Sequence, residues 1–243
     1  MRKKAIVLLS GGLDSTTTLA YAIKKDGMDV FPLSFYYGQK HSFELNQVEK
    51  ILNYFEIPLE RWKLVNLDKS LFETSALVNK EIEVPRDRDF SKEEIPSTYV
   101  PARNTIFLSY AIAYGEIIGT GEIYIGVNAI DYSGYPDCRP EYIEAFEKMA
   151  NLATKASVEG KINYTIHTPL IKLTKSEIIK LGLSLGVDYS ITHSCYSPGP
   201  NGEPCGECDS CRLRIKGFEE AGEVDPLAER YLSKKYFPDW WPK

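Results

Sequence analysis

Long apolar runs are absent from this chain of 243 residues. None approaches the roughly 20 residues that a membrane-spanning helix needs, so the sequence predicts no membrane span. The basic start Arg2-Lys3-Lys4 precedes an apolar run at residues 5–9, but that run is too short for the core of a signal peptide. We therefore expect a cytoplasmic protein, and its 43% hydrophobic and 26% charged residues are typical of a globular fold.

An excess of positive charge is also missing, since the formal net charge is −5. Proteins that grip nucleic acid usually present a basic surface, because they must neutralise phosphates. The charge therefore argues against direct nucleic-acid binding as the main task, although a local basic patch stays compatible with it. No internal repeat or low-complexity tract is visible, which argues against a repeat architecture.

Cysteines are few and unevenly placed. Four of the five lie between positions 195 and 211, in a chain without an export signal, which indicates metal binding rather than a disulfide framework. Two spacers of two residues and one of nine, with prolines and glycines in the longer one, suit a closed tetrahedral site. The sequence predicts a structural zinc held by Cys195, Cys205, Cys208 and Cys211. An iron–sulfur cluster, or His193 as a competing ligand, is the alternative.

The hydrophobic pattern alternates between strand-length and helix-length segments, which predicts an α/β fold with a parallel sheet and right-handed crossovers. Between residues 69 and 101 the pattern loses its periodicity, which is typical of a lid or binding loop. The predicted strands are residues 5–9, 30–36, 61–65, 123–127 and 162–167. The predicted helices are residues 15–25, 43–55, 105–118 and 141–157, with a further helix starting at 174.

The most informative motif is Ser10-Gly11-Gly12-Leu13-Asp14-Ser15-Thr16, directly after the first predicted strand. A buried strand that leads into two glycines and a helix start turns backbone N–H groups toward one point, where they can bind an anion. The motif has neither the lysine of the Walker loop nor the spaced glycines of a dinucleotide fingerprint. We predict a phosphate-binding loop, with a plain strand-to-helix turn as the alternative.

Two cations outside this loop are further candidates for binding an anion. Lys175 lies in the first turn of a helix that begins with the capping box Thr174-Lys175-Ser176-Glu177, where the dipole disfavours a cation unless an anion is near. Arg103 lies at another predicted helix start, with Asn104 as a suitable N-cap, and arginine there binds carboxylate or phosphate well. A solvated lysine and a surface arginine are the alternatives.

A polar loop at residues 131–139 follows the carboxyl end of a predicted strand, where open α/β sheets bind their ligands. Its carboxylates can accept hydrogen bonds from an amino-purine edge, and its tyrosines can stack on a planar heterocycle. The composition is also compatible with an ordinary polar loop. The candidate residues are Asp131, Tyr132, Tyr135, Asp137 and Arg139.

These motifs carry two resemblances. SGGLDST is similar to the loop of the PP-loop ATP pyrophosphatase superfamily, whose members mostly split ATP between the α and β phosphates and activate a substrate oxygen as its adenylate. The wider pattern closely resembles the 7-cyano-7-deazaguanine synthase family, which acts in queuosine and archaeosine precursor synthesis. It runs from about residue 4 to 222 and comprises SGGLDSTT, YGQKH at 37–41, IPSTYVP with Arg103-Asn104, DYSGYPDCR at 131–139, TPL at 168–170 and the four-cysteine segment ending in Arg214.

The resemblance implies a PP-loop domain at residues 1–190, Rossmann-like and of the adenine nucleotide α-hydrolase type. A zinc-binding segment at 191–222 and a C-terminal tail at 223–243 would follow. The implied reaction converts 7-carboxy-7-deazaguanine and ammonia, with ATP, to the nitrile, in a homodimer. We expect two adenylations, of the acid and then of the amide, which release AMP and pyrophosphate with Mg²⁺ near Asp14.

The resemblance also implies residue roles. ATP would contact Leu8, Leu9, Ser10, Gly11, Gly12, Leu13, Asp14, Ser15, Thr16, Thr17 and Thr18. The deazaguanine would contact Arg103, Asn104, Asp131, Tyr132, Tyr135, Asp137 and Arg139. Apart from the resemblance, we expect catalysis to depend on Ser10, Asp14, Ser15, Arg103 and Lys175, with His41 or Asp131 as a candidate general base.

Ammonia is expected to come from solution, because residue 2 is arginine rather than the cysteine of one glutaminase type, and no spare domain exists for the other. Two other functions remain open. A PP-loop tRNA sulfurtransferase would need Cys138 as its sulfur carrier, whereas in nitrile formation Cys138 would be a nucleophile or a packed side chain. A zinc-ribbon interaction module with a regulatory nucleotide site is the non-enzymatic alternative.

Overall fold

The fold is built on a five-stranded parallel sheet, seen in a computed structural model that describes residues 2–40, 43–86, 95–130 and 135–232. Ile6 of the central strand pairs with Phe31 on one side and Ile123 on the other. The strands are β1 (Lys4–Leu8), β2 (Asp29–Tyr36), β3 (Lys63–Asn66), β4 (Glu122–Tyr124) and β5 (Thr165–His167), in the order β3-β2-β1-β4-β5. This confirms the α/β prediction with a parallel sheet.

Helices pack against both faces of the sheet. Successive residues of β1 point to opposite faces, so Ile6 packs in the core formed with the helices at 103–118 and 140–153, and Val7 packs in the core formed with the helices at 13–20 and 43–54. This explains why β1 reads as an unbroken apolar run. The helices are α1 (Leu13–Ala20), α2 (Phe43–Tyr54), α3 (Arg103–Ile118), α4 (Pro140–Ala153), α5 (Lys155–Val158), α6 (Lys175–Ser184), α7 (Asp209–Ala221) and α8 (Pro226–Tyr231).

Three predicted helices differ from the structure in detail. The helix predicted at 15–25 begins at Leu13, and its last five residues form a π-helical turn. The helix predicted at 141–157 is interrupted at Thr154, whose extended backbone ends α4 and whose hydroxyl caps α5. Asn104 is not the N-cap of α3: that position belongs to Ala102, in the left-handed region at φ 50°, and Asn104 lies inside the helix.

The described parts of the segment 69–101 are packed rather than detached. Phe72, Leu77 and Val78 are buried in the core beside α3, and the Ala76 N–H donates to the Ser97 carbonyl over 2.8 Å. The segment is therefore held by the burial of individual apolar side chains, without the regular period of a helix or strand. Only residues 87–94 of this segment fall outside the described residues.

The C-terminal elements pack on the sheet domain through α6. α6 lies against both α1 and α7, and Phe218 of α7 belongs to the core formed by Leu13 and Ile178. Contacts therefore cross the predicted boundary at residue 190, and the division into 1–190, 191–222 and 223–243 stays a prediction. None of the helices in the described part of the chain has the length and apolar character that a membrane crossing requires.

Candidate active site

A cavity opens at the carboxyl ends of the central strands. Its walls come from the loop after β1, the loop after β2 and the start of α3. β1 lies between β2 and β4, and the helix that follows β1 (α1) and the helix that leads to β4 (α3) pack on opposite faces of the sheet. Open α/β folds form their ligand crevice at such a point. The cavity therefore occupies the position that the sequence predicted for a nucleotide.

The glycine loop after β1 presents an uncapped helix start to this cavity. Gly12 is the N-cap of α1 and provides no side chain to bind the N–H groups of the first turn. Gly11 has φ +93°, and a Cβ there would lie 2.0 Å from the Glu44 carbonyl oxygen. Only glycine fits at Gly11, because the backbone of α2 is already in contact with it. The geometry is that of an anion-binding loop.

The hydroxyls of the motif fall into two groups. Ser10 and Ser15 line the cavity, with their Oγ atoms 3.1 Å apart, and the Ser10 N–H donates to Ser15 Oγ over 3.2 Å. Thr16, Thr17 and Thr18 are buried inside the molecule and donate to helix carbonyls four residues back. Of the eleven residues predicted to contact ATP, those that line the cavity are Leu8, Leu9, Ser10, Gly12, Leu13, Asp14 and Ser15.

Asp14 and Lys175 form an ion pair between α1 and α6. Lys175 Nζ lies 2.7 and 2.8 Å from the two Asp14 carboxylate oxygens, and the lysine side chain is only 7% exposed. The predicted capping box of α6 is present, so Lys175 does begin the first helical turn. The anion that the helix dipole requires beside this lysine is Asp14. Both residues line the cavity, as their predicted roles require.

Glu44 was missed by the sequence reasoning, although it lies directly over the glycine loop. It is the second residue of α2, and Ser10 Oγ donates to its Oε1 over 2.6 Å. Burial, with a smaller contribution from Asp14, raises the pKa of Glu44 to about 7, against the opposing effects of Ser10 and Arg103. The only sequence signal was its position just after the second strand, at the same edge of the sheet as the loop.

Arg103 faces the cavity from the start of α3, where its guanidinium meets the phenol of Tyr37. Burial opposes the charge of Arg103, but Tyr37 and Asp137 outweigh burial and raise its pKa, so the residue stays cationic. Burial raises the pKa of Tyr37. A cation at the cavity wall is suited to receive an anionic group of a ligand.

Asn104 and Asp137 bond to each other. The Asn104 N–H donates to Asp137 Oδ2, and its side-chain amide donates to the Asp137 carbonyl, each over 3.0 Å. The buried Asp137 carboxylate thus satisfies the start of α3, where Asn104 was expected to act as the cap. Asn104 lines the cavity.

Of the remaining residues predicted to contact the substrate, some line the cavity and others do not. Tyr135 lines the cavity, stacks on Tyr99 at 6.0 Å and shares a 2.8 Å hydrogen bond with Thr98. Arg139 is exposed at the start of α4, where its Nε donates to the Pro136 carbonyl, and it is not part of the cavity wall. Asp131 and Tyr132, and the general-base candidate His41, lie outside the described residues.

Cys138 is buried at the cavity wall. Burial, reinforced by Asp137, raises the pKa of its thiol to about 12, although Arg103 and Asn104 act in the opposite direction. Asn104 donates to its sulfur over 3.4 Å. A thiol that stays protonated at neutral pH is a poor nucleophile, so the geometry favours the packed side chain over a sulfur carrier.

The four C-terminal cysteines form a candidate metal centre. Their Sγ atoms all lie within 4.8 Å of one another, and those of Cys205 and Cys211 are 4.0 Å apart. A tetrahedral zinc with Zn–S bonds of about 2.3 Å separates its sulfurs by roughly 3.8 Å, so the four thiols fit a single ion. His193 is not part of this group, because its Nε2 lies 3.1 Å from the Gly202 carbonyl.

The cysteine segment is linked to the glycine loop through residues 189–196. The His193 N–H donates to the Gly11 carbonyl over 3.0 Å. Arg214 of α7 binds the Tyr189 carbonyl and the Thr192 hydroxyl, and it pairs with the buried Asp225. The cysteine segment therefore supports one side of the glycine loop.

Comparison with known proteins identifies the family. A family model described as queuosine biosynthesis protein QueC matches residues 4–222. The 7-cyano-7-deazaguanine synthase of Geobacter metallireducens is 59% identical over 228 residues, which cover 94% of each chain. The protein of the same name from Desulfatibacillum aliphaticivorans is 56% identical over 98% of each chain, and that of Geobacter sp. strain M21 is 60% identical over 96% of this chain and 100% of its own. The chain belongs to the queuosine biosynthesis protein QueC family.

Proposed function

We propose that this enzyme converts 7-carboxy-7-deazaguanine and ammonia to 7-cyano-7-deazaguanine at the expense of ATP, in the synthesis of the queuosine and archaeosine precursor. The proposal is supported by two observations taken together. The relatives named 7-cyano-7-deazaguanine synthase match nearly the full length of the chain, and an uncapped glycine loop shares the cavity with Arg103 and Lys175. A carboxylate cannot be displaced directly by ammonia, because oxide is a poor leaving group. Adenylation of the carboxylate supplies AMP as the leaving group.

Each half of the reaction uses the same activation. The carboxylate oxygen attacks the α phosphorus and pyrophosphate leaves; ammonia then displaces AMP with loss of a proton, giving the amide. The amide oxygen attacks a second ATP, again expelling pyrophosphate, and loss of AMP and the remaining N–H protons gives the nitrile. The proposal predicts two ATP consumed and two AMP formed for each nitrile.

We assign the loop residues to the departing pyrophosphate. The N–H groups at the start of α1 and the hydroxyls of Ser10 and Ser15 donate to its oxygens, which stabilises the charge that develops as the bond breaks. Lys175 holds Asp14 in place. Asp14 would be the carboxylate available to Mg²⁺ that enters with ATP, and that ion would supply charge neutralisation of the phosphates. Arg103 receives the carboxylate of the deazaguanine or the α phosphate, and Tyr135 stacks on the heterocycle.

We further propose that Cys195, Cys205, Cys208 and Cys211 hold a structural zinc. Four thiolates fill the coordination shell of the ion, so it supplies folding energy and leaves no open position for chemistry. The short separations among the four sulfurs favour one ion over a cluster of irons and sulfides. A homodimer, a cytoplasmic location and the absence of direct nucleic-acid binding complete the proposal.

The test is incubation of the purified protein with 7-carboxy-7-deazaguanine, ammonium and Mg-ATP, with mass spectrometry of the deazapurine and quantification of AMP and ADP. We expect the amide and then the nitrile, with AMP as the nucleotide product. ADP as the only nucleotide product would exclude adenylation. Failure to consume ATP with the acid and ammonia would instead favour a regulatory nucleotide site.

A further inference from the structure

Both the backbone and the side chain of Glu44 lie in close contact with the glycine loop. Its carbonyl oxygen excludes a Cβ at Gly11, and its Oε1 would lie 2.5 Å from a Cβ at Gly12. The same Oε1 accepts the Ser10 hydroxyl over 2.6 Å. A carboxylate thus lies within contact distance of the backbone that is shaped to hold phosphate.

The hydrogen bonds of Ser10 decide what this residue can offer to a phosphate. A serine hydroxyl carries one proton, and here that proton is donated to Glu44, while the oxygen accepts the Gly12 N–H over 3.3 Å. With an ionised Glu44, Ser10 therefore turns only lone pairs toward an anion. With a protonated Glu44, the acid donates to Ser10 Oγ and the serine proton becomes available to a phosphate oxygen.

The charges around Glu44 come from several elements. Asp14 of α1, which is paired with Lys175 of α6, lies near enough to interact with the Glu44 carboxylate. Arg103 of α3 and the phenol of Tyr37 line the same cavity and also interact with Glu44 electrostatically. His193 approaches the neighbouring Phe43 ring at 6.1 Å. In this setting burial already raises the pKa of Glu44 to about 7, and the negative charge of a bound triphosphate adds to that shift.

We propose that Glu44 is a positioning residue that takes up a proton when nucleotide binds, and that it thereby turns the Ser10 hydroxyl into a donor to the phosphates. This inference rests on the proposed ATP site. Above neutrality the apo protein must gain a proton on binding, so affinity for nucleotide falls as the pH rises. Each further pH unit then weakens binding by up to about tenfold.

The experiment is calorimetric titration of α,β-methylene-ATP with Mg²⁺ at pH 6 to 8.5, in pairs of buffers that differ in ionisation enthalpy. We expect the wild-type protein to take up close to one proton per nucleotide at pH 8 and almost none at pH 6. Glu44→Gln keeps a side-chain N–H that can donate to Ser10 and cannot titrate. This variant should bind nucleotide with little dependence on pH. The nucleotide's own protonation contributes equally to both proteins, so subtracting the proton uptake of the variant from that of the wild type leaves the contribution of Glu44.

Glu49→Gln is the matched control, because Glu49 is an exposed carboxylate on the same helix. It should retain the wild-type proton uptake. Nucleotide binding without proton uptake in the wild type, or uptake that persists in Glu44→Gln, would overturn the role of Glu44 and leave the proposed function standing. A wild-type protein that binds no nucleotide at any pH would overturn both. Circular dichroism verifies that the variants are folded.

Discussion

At the scale of single residues, the pairing of Asp14 with Lys175 joins distant parts of the sequence inside the cavity. The two residues are 161 positions apart, and their side chains meet where α1 and α6 both begin. The sequence identified each as a candidate, because one follows the glycine motif and the other is a cation at a helix start. Their partnership depends on how the two helices pack, which no local pattern encodes.

We expect Lys175→Met to destabilise the protein by about 3 kcal/mol, because removal of one partner leaves a partly buried carboxylate without its counter-charge. Nucleotide affinity should also fall, since Asp14 is no longer held. Urea unfolding followed by circular dichroism measures the first effect. Lys180→Met, an exposed lysine of the same helix, is the control and should stay near wild type. Equal stability of the two variants would contradict the importance of the ion pair.

Cys138 supplies a second prediction at this scale. Because its thiol is buried and protonated at neutral pH, Cys138→Ala should retain the proposed nitrile synthesis to within a few-fold and lose about 1 kcal/mol of stability. Steady-state kinetics and thermal denaturation measure both. A folded variant whose kcat falls by roughly a thousandfold would instead establish a covalent role for the thiol.

At the scale of elements, the packing of α7 on α6 controls where Lys175 can lie. A Cβ at Gly217 would be 2.4 Å from Lys175 Cγ and 2.9 Å from its Cβ, so the glycine in α7 makes room for the lysine. A glycine in the middle of a helix ordinarily weakens it by about 1 kcal/mol. Gly217 therefore lowers the helix propensity of α7, and in return it allows α6 and α7 to approach each other closely.

Gly217→Ala separates these two effects by their sign. Helix propensity alone predicts a gain of about 1 kcal/mol, whereas the clash with Lys175 predicts a net loss, because overpacking costs about 1–3 kcal/mol. We expect a lower melting temperature and weaker nucleotide binding. Lys216→Ala, at an exposed position of α7, should change neither. A more stable Gly217→Ala protein with full activity would show that α7 can move away without consequence.

The helices and strands themselves were largely predictable, because their apolar residues recur with the spacing of the positions that the fold buries. The run at residues 5–9 predicted a buried strand, and the structure places it at the centre of the sheet, with both faces covered. The errors occur where tertiary contacts replace local signals. Asn104 suggested an N-cap by residue type, but the Asp137 carboxylate from another loop satisfies the start of α3.

At the scale of the whole molecule, the cysteine segment connects the C-terminal part of the chain to the cavity. Ser210 and Arg214 line the cavity wall, and residues 189–196 reach the glycine loop. Arg86 also bonds Glu207, so the segment after β3 is attached to the same unit. The cysteine segment therefore supports the glycine loop through residues that follow α6.

Removal of the metal should weaken nucleotide binding as well as stability. We expect Cys208→Ser, or treatment with a strong chelator, to lower the melting temperature and the affinity for α,β-methylene-ATP, since a shift of about 1 Å at a site can cost roughly 100-fold. Mass spectrometry of the intact protein counts the bound ion, and Cys138→Ala should retain it. Unchanged nucleotide affinity in the metal-free protein would show that the two sites are independent.

The sequence by itself determined the parallel α/β fold, the glycine loop, the capping box of α6 and the set of four cysteines, because each depends on the spacing of neighbouring residues. Only the tertiary structure decided that Lys175 pairs with Asp14, that Asp137 caps α3, and that Glu44 lies over the loop. Those contacts join residues from different elements at one edge of the sheet. They arise from the packing of helices on both faces of the sheet. Local periodicity predicts that such helices form and pack, but it does not predict which of their residues come into contact.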